Sequence, residues 1–402
     1  MPNARTVDRR RFLAWLAASA ERACAAPAWA QEHAPAREPN DLLTDPAQAL
    51  NVFEFEPVMR RNVPPAHFGY MATGVDDEAT LRRNREAFQL LQLRPRRLVD
   101  VGKVDMSWEI FGLTYDSPIV IAPTGSNRAF HPQGELAVAR AAQTGNHLQI
   151  LSTVATASIE EATQARGAPI WFQLYPTQEW RIGDALAARA ERAGCPAIVL
   201  TLDVLGPQKW ETYLRLRRAD TRACGECHAA GGYLARKPNF AGIDLAGVAS
   251  TAAPNLTWPF LARLRDKVRC KIVLKGILAP EDARLAVDSG CDAIIVSNHG
   301  GRAEDGGGAT IEALPDVIAA VGGRIPVLVD SGFRRGSDIA KALAIGAGAV
   351  CIGRPYLWGL GAFGEAGVAR VLEILRAELH AGMQQLGAPS LRHLVPGMVR
   401  RA

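Results

Sequence analysis

No run of about 18 uninterrupted apolar residues occurs in this 402-residue chain, so the sequence offers no membrane-spanning helix. Neither glycine (37) nor proline (25) is in excess and no internal repeat is visible, which excludes collagen-like, low-complexity and solenoid architectures. Charge of one sign is scarce too. The formal net charge is +5, but residues 1–30 carry +3 of it (Arg5, Arg9, Arg10, Arg11 and Arg22 against Asp8 and Glu21). The remaining +2 is no nucleic-acid footprint. What is present, 48% hydrophobic and 22% charged residues, supports a sizeable buried core. A soluble enzyme or binding protein remains.

The N-terminus reads as an address. Asp8-Arg9-Arg10-Arg11-Phe12-Leu13 has the pattern of a twin-arginine export signal, an apolar run follows over 13–20, and Ala28-Trp29-Ala30 supplies an A-x-A cleavage pattern. Residues 1–30 are therefore expected to be a signal peptide and the mature protein periplasmic. The alternative is a basic amphipathic helix retained on a cytoplasmic protein. Residues 31–65, polar and proline-rich at first, are expected to form an N-terminal arm ahead of a main domain over 66–402.

In that domain eight short apolar runs recur, at 119–122, 148–151, 170–174, 197–202, 271–275, 292–296, 326–329 and 349–352. Each is rich in Ile, Val and Leu and too short for a buried helix, as strands covered on both faces should be. Amphipathic segments such as 134–143, 182–193, 280–289 and 336–345 alternate with them. The alternation predicts parallel βαβ units, and eight of them predict a (β/α)8 TIM barrel ahead of a doubly wound open sheet. A long insertion, about 204–270, follows the fourth run on the face where barrel enzymes carry their loops.

Barrel chemistry sits at the C-terminal ends of strands. Collected in chain order, those ends carry Pro123-Thr124-Gly125, Ser152-Thr153, Gln173-Leu174-Tyr175, Thr201-Leu202-Asp203 and Lys275-Gly276. After strand six comes Ser297-Asn298-His299-Gly300-Gly301-Arg302, after strand seven Asp330-Ser331-Gly332-Phe333-Arg334, and after strand eight Gly353-Arg354. The last two sets occupy the usual phosphate position of barrels, where glycine amides and arginines surround an anion. His299 and Arg302 suit proton abstraction beside an anchored carboxylate.

These motifs resemble the FMN-dependent L-2-hydroxy-acid dehydrogenase/oxidase family, which includes glycolate oxidase, L-lactate dehydrogenase and mandelate dehydrogenase. Tyr70-Met71-Ala72-Thr73-Gly74, Phe172-Gln173-Leu174-Tyr175, Leu274-Lys275-Gly276 and Gly364-Glu365-Ala366-Gly367-Val368 extend the resemblance from about residue 66 to the C-terminus. It implies FMN as cofactor and oxidation of a small 2-hydroxy acid to the 2-oxo acid. By similarity His299 is the base and Asp203 supports its imidazolium. Tyr175 bonds the substrate oxygen, Arg302 and Tyr70 bind the carboxylate, and Lys275 lies near the flavin N1 and O2. Ser152, Gln173, Thr201 and Ser297 border the cofactor with the backbone of Pro123, Thr124 and Gly125. Asp330 serves the ribityl chain, and Ser331 and Gly332 belong to the same cofactor loop. Arg334, Gly353 and Arg354 hold the phosphate. A homo-oligomer is implied as well.

Three features depart from the pattern or stay open. Where the family usually has a second substrate arginine, a gapless count from Asp203 gives Trp210, with Lys209 or Arg215 as replacements if the loop is shifted. Losing a cation weakens carboxylate binding, while an indole favours a bulkier apolar side chain on the substrate. Cys224-Gly225-Glu226-Cys227-His228 has the spacing of a covalent haem c site. Without a cytochrome-sized domain around it a disulfide-forming pair is the preferred reading, with haem c and a zinc or redox site as alternatives. The electron acceptor also stays open. Export and Gly125, where oxidases of the family more often carry alanine, favour a dehydrogenase using a quinone or cytochrome over an oxygen-using oxidase. A flavin-dependent isomerase of similar fold would not need His299 and Arg302 opposite Tyr70 and Tyr175.

Overall fold

The computed structural model describes residues 42–222 and 232–402. Eight parallel strands form one sheet: β1 (Ile119–Ile121), β2 (Ile150–Ser152), β3 (Trp171–Leu174), β4 (Ala197–Thr201), β5 (Lys271–Ile277), β6 (Ala293–Val296), β7 (Val327–Val329) and β8 (Ala349–Ile352). Each pairs with its sequence neighbour from β2 to β8, and β8 pairs with β1. The ring closes between β1 and β2 through a parallel bridge of Ile121 with Gln149, where the Ile121 N–H donates to the Leu148 carbonyl at 2.8 Å. The expected (β/α)8 barrel is the observed fold.

The period-2 pattern of the runs fills the interior. Val120, Ile150, Trp171, Val199, Val273, Ile295, Leu328 and Cys351 meet in one buried cluster, while Ile121, Phe172, Ile198, Leu274 and Ile294 are equally buried on the other face. Amphipathic helices supply the second layer. In Trp180–Arg192, Ile182, Leu186 and Ala190 recur every fourth residue and all three are buried. Helix Ile159–Arg166 starts on a capping box in which Ser158 Oγ accepts from the Glu161 N–H and Glu161 accepts from the Ser158 N–H. A short hairpin, Trp108–Ile110 with Leu113–Tyr115, adds Trp108, Ile110 and Tyr115 to the interior cluster.

Two boundaries differ from the sequence reading. Residues 43–65 are not a separate arm: Leu43 onward belongs to the same compact unit as the barrel. Val52, Phe55, Val58 and Met59 are fully buried, and helix Phe55–Asn62 packs on the long helix Arg354–Leu386. The long segment after β4 ends earlier than 270. Helix Trp258–Lys267 buries Phe260, Leu261 and Leu264 and sets Phe260 edge-on to Trp180, as a covering helix of the barrel does. Among the described residues no helix is long and apolar enough to cross a membrane. Cys195, Cys291 and Cys351 are buried and Cys270 partly so.

His147, beside the β1/β2 closure, couples the fold to pH. Its Nδ1 lies 3.2 Å from both Ser117 Oγ and the Ile119 carbonyl. Burial pushes its pKa down to about 4, reinforced by Arg376 and Arg166 and opposed by the Ile119 bond and Asp116. Above about pH 6.5 both folded and unfolded chains hold the ring neutral and its stability is fully present. Between 6.5 and 4 the unfolded chain takes the proton first, so stability falls as the pH falls, by roughly 3 kcal/mol from this group. Urea unfolding across that window should be flatter in His147→Gln than in the natural protein. Identical slopes would refute the assignment.

Candidate active site

The strand ends converge on one cavity of about 1220 Å³. Two backbone devices aim the chain there. Between β5 and β6 the register shifts at Gly276 (φ +110°), a bulge in which a Cβ would press on the Asp203 carboxylate at 3.1 Å. After β6 the chain turns through His299 itself, at φ +56°, a left-handed conformation costing about 1–3 kcal/mol that marks strain at a working residue.

His299 Nδ1 lies 2.7 Å from Asp203 Oδ1, and its Nε2 lies 3.3 Å from the Tyr175 hydroxyl. Burial works to raise the Asp203 pKa, but His299 and Lys275 outweigh it and hold the group below the usual carboxylate range. Asp203 is thus an anion that requires Nδ1 to carry hydrogen, which leaves the Nε2 lone pair of the neutral ring available. Tyr175 donates to that lone pair. Burial first, then the Asp203 charge, raise the Tyr175 pKa well above 10, so it remains a donor. Asp203 Oδ2 is buried without a hydrogen-bond partner among the described residues. The ring is held by an acceptor on one side and a donor on the other, an arrangement that can serve a base.

Arg302 faces the same cavity. Both hydrogens of its Nη1 are used, on the carbonyls of Tyr70 (2.7 Å) and Thr73 (3.0 Å). Its guanidinium carbon sits 4.4 Å from the Trp210 ring centroid and 5.1 Å from that of Tyr70. No carboxylate pairs with it among the described residues, and burial lowers its pKa. The Nε and Nη2 donors form a side-on fork, the geometry that takes a carboxylate in two hydrogen bonds.

At the far end buried Arg334 and half-buried Arg354 lie side by side. Arg334 donates to the Phe333 carbonyl and lies 4.6 Å over Trp358. Arg354 donates to the carbonyls of Met71, Gly300 and Thr73. Burial, and next the adjacent guanidinium (Arg354 for Arg334, Arg302 for Arg354), push both down to about 9. Neither has an ion-pair partner within 4 Å among the described residues. Arg354 in the first turn of helix Arg354–Leu386, whose N-cap Gly353 has no side chain, and Arg334 beside it form a cradle that an anion completes. Gly332 (φ +88°) lets the loop pass Asn84, whose carbonyl a Cβ would meet at 2.0 Å. Between the two ends Lys275 Nζ donates to Ser297 Oγ at 2.8 Å and lies 3.4 Å from Asp330. Burial would lower the Lys275 pKa, but Asp330 and Asp203 raise it, so it stays an ammonium.

Of the residues singled out from the sequence, Tyr70, Pro123, Thr124, Gly125, Tyr175, Lys275, His299, Arg302, Asp330, Ser331, Gly332, Arg334, Gly353 and Arg354 line the cavity. Ser152, Gln173 and Thr201 lie behind its wall, joined through Gln173 Nε2 to Thr201 (2.9 Å) and Ser152 Oγ to Gln173 Oε1 (3.2 Å). Ser297 and Asp203 stand one hydrogen bond behind Lys275 and His299. Neither Lys209 nor Arg215 replaces a second arginine: both are two-thirds exposed and paired with Glu211. Cys224, Cys227, His228 and the leader lie outside the described residues. Sequence reading missed Tyr213, Arg217, Tyr233 and Lys237, which line the cavity from the segment after β4. It also missed Asn239, fully buried, whose amide donates to the carbonyls of Ser152 and Thr153. A helical spacing of 210, 213 and 217 is the one signal that was available.

A strand-end cavity with an anion cradle at one end and a base beside a carboxylate fork at the other defines a barrel oxidoreductase that works with a phosphate-bearing cofactor. The family model "FMN-dependent dehydrogenase" matches residues 59–401, and the chain belongs to that family. It is 42% identical over 356 residues to glycolate oxidase 1 of Oryza sativa subsp. japonica, covering 86% of this chain and 94% of that protein. With L-lactate oxidase of Lysinibacillus sphaericus it shares 41% over 350 residues, 85% of this chain and 90% of the relative. A soluble mutant of the membrane-associated (S)-mandelate dehydrogenase from Pseudomonas putida superposes with a TM-score of 0.81 at 36% identity, over 88% of this chain and all of that one. The protein is an FMN-dependent 2-hydroxy-acid oxidoreductase.

Proposed function

We propose that the protein oxidises an L-2-hydroxy acid to the 2-oxo acid and passes the electrons to a respiratory acceptor, a quinone or cytochrome, rather than to oxygen. The observation that carries the substrate reading is the open Arg302 fork in the same cavity as the lone pair of His299. The fork takes the carboxylate, with Tyr70 at its side, and so fixes C2 and its hydroxyl relative to His299. His299 Nε2 takes up the substrate proton, and Asp203 stabilises the resulting imidazolium. Tyr175, held protonated, donates to the substrate oxygen. With FMN bound, Lys275 would place a positive charge near the ring, with Ser152, Gln173 and Thr201 behind that wall of the cavity; Asp330 would serve the ribityl chain, and Arg334 and Arg354 would hold the phosphate. FMN, when bound, would take up the two electrons together with one of the two hydrogens that the substrate loses, the other going to His299 as a proton.

The acceptor reading rests on the export pattern at Arg9-Arg10-Arg11, which implies a periplasmic mature protein, and on Gly125. A Cβ at Gly125 would meet Val154 Cγ2 at 2.5 Å, so an alanine there requires Val154 to move. The second reading, an oxidase, is favoured by the names of the glycolate and L-lactate oxidases among the relatives. Rates of re-oxidation of the substrate-reduced enzyme separate the two. A quinone analogue or cytochrome c is expected to outpace air by at least tenfold. Oxygen turnover equal to the best acceptor, with stoichiometric peroxide, would assign an oxidase.

A further inference from the structure

We infer that Trp210 is a positioning residue for Arg302 and a specificity residue for the substrate, and that it selects 2-hydroxy acids whose C2 substituent is an aryl or similarly flat apolar group. The inference rests on the proposed hydroxy-acid reading of the site and names its substrate class. The indole holds Arg302 at two points. Its ring lies 4.4 Å from the guanidinium carbon, and its Nε1–H donates to the Arg302 backbone carbonyl at 3.3 Å. With Nη1 tied to two carbonyls, the indole face fixes the remaining rotation of the guanidinium plane, and with it the direction of the Nε/Nη2 fork. A π-face also supports a half-buried cation that has no carboxylate partner among the described residues, where a second ammonium or guanidinium would repel it.

One consequence is that neither Lys209 nor Arg215, both paired with Glu211, stands beside Arg302 as a second cation for the carboxylate, and the indole occupies that place. Binding must draw on the rest of the substrate. Trp210 stands edge-on to Tyr70 (6.2 Å, 69°) and to Tyr213 (6.5 Å, 78°), and these rings line the cavity together with Tyr233 and Val154. A two- or three-carbon hydroxy acid leaves that aromatic wall against water, whereas an aryl group covers it and stacks on ring faces and edges. One methylene in an apolar pocket discriminates by roughly 10–200-fold, so a phenyl against a methyl is expected to give at least about 10²-fold in kcat/KM.

The test uses the FMN-loaded enzyme with 2-hydroxy-2-phenylacetate, lactate and glycolate, and the variants Trp210→Phe and Trp210→Leu, each checked for flavin content. Calorimetric titration adds a second readout with 2-oxo-2-phenylacetate and its neutral amide. The natural enzyme is expected to prefer the phenyl substrate by about 10²-fold in kcat/KM. Trp210→Phe, which keeps a ring face, should retain that preference. Trp210→Leu should lower it at least tenfold and weaken binding of the acid several-fold more than binding of the amide, because only the acid uses the charged fork. Lactate or glycolate oxidised as well as the phenyl substrate by the natural enzyme would overturn the inference. So would an equal loss of acid and amide binding in Trp210→Leu, which is what a general structural role would produce. If no 2-hydroxy acid reduces the flavin, the functional reading itself fails, an outcome separate from the other two.

Discussion

Replacing His299 by glutamine is expected to slow reduction of the bound flavin by substrate by roughly 10²–10⁴-fold while leaving the flavin in place. The expectation follows from how the ring is held. The Asp203 anion fixes hydrogen on Nδ1, so Nε2 carries the lone pair, and in the proposed reading the substrate oxygen would sit beside it near the Tyr175 hydroxyl, which lies 3.3 Å away. Glutamine can accept a hydrogen bond at that point but cannot retain a proton. Asp203 would then be a buried anion that has lost its 2.7 Å partner, with Lys275 as the remaining nearby charge. The anion cradle at Arg334 and Arg354 does not involve His299, so FMN content should be unchanged. Stopped-flow reduction under anaerobic conditions reads the rate, and an unaltered rate would remove His299 from the chemistry.

Arg302→Lys should lower kcat/KM by roughly 10²–10³-fold, through both affinity and orientation. A lysine keeps the charge but not the plane. It cannot donate to the Tyr70 and Thr73 carbonyls and also present two parallel donors to a carboxylate. The ammonium would be drawn to these carbonyls first, since leaving that of Tyr70 unpaired costs about 1–3 kcal/mol, while that of Thr73 keeps its bond from Arg354. Substrate would then meet a single, displaced donor, and a shift of about 1 Å at C2 is worth some 10²-fold in rate. Steady-state kinetics should show KM raised and kcat reduced together. A variant in which KM alone changed would mean that the fork binds substrate without orienting it.

How much of this was legible in the chain differs from element to element. The runs at 197–202 and 349–352 became Ala197–Thr201 and Ala349–Ile352 because strand periodicity and β-branched content are local properties. The polar residues after each run followed from one rule of barrels, since strand polarity alone sends them to a common rim. Residues 43–65 were misread for the opposite reason. The chain from 31 to about 51 reads as polar and proline-rich, and what buries Val52, Phe55, Val58 and Met59 includes a helix some 300 residues further along. Asn239 was invisible because its partners are the backbone carbonyls of Ser152 and Thr153, and carbonyls leave no mark on sequence.

By itself the sequence determined the eightfold alternation, the strand ends that carry His299, Arg302, Lys275 and the paired arginines, and the substitution of tryptophan at 210. Only the tertiary structure decided what those residues do to one another. It left Ser152, Gln173 and Thr201 behind the cavity wall, buried Arg334 beside Arg354 with no carboxylate partner among the described residues, and laid the Trp210 ring against the Arg302 guanidinium. The reason is physical. Strand and helix periods are set by neighbours a few residues away, whereas a charge's partners and its desolvation depend on side chains that meet only when distant segments pack.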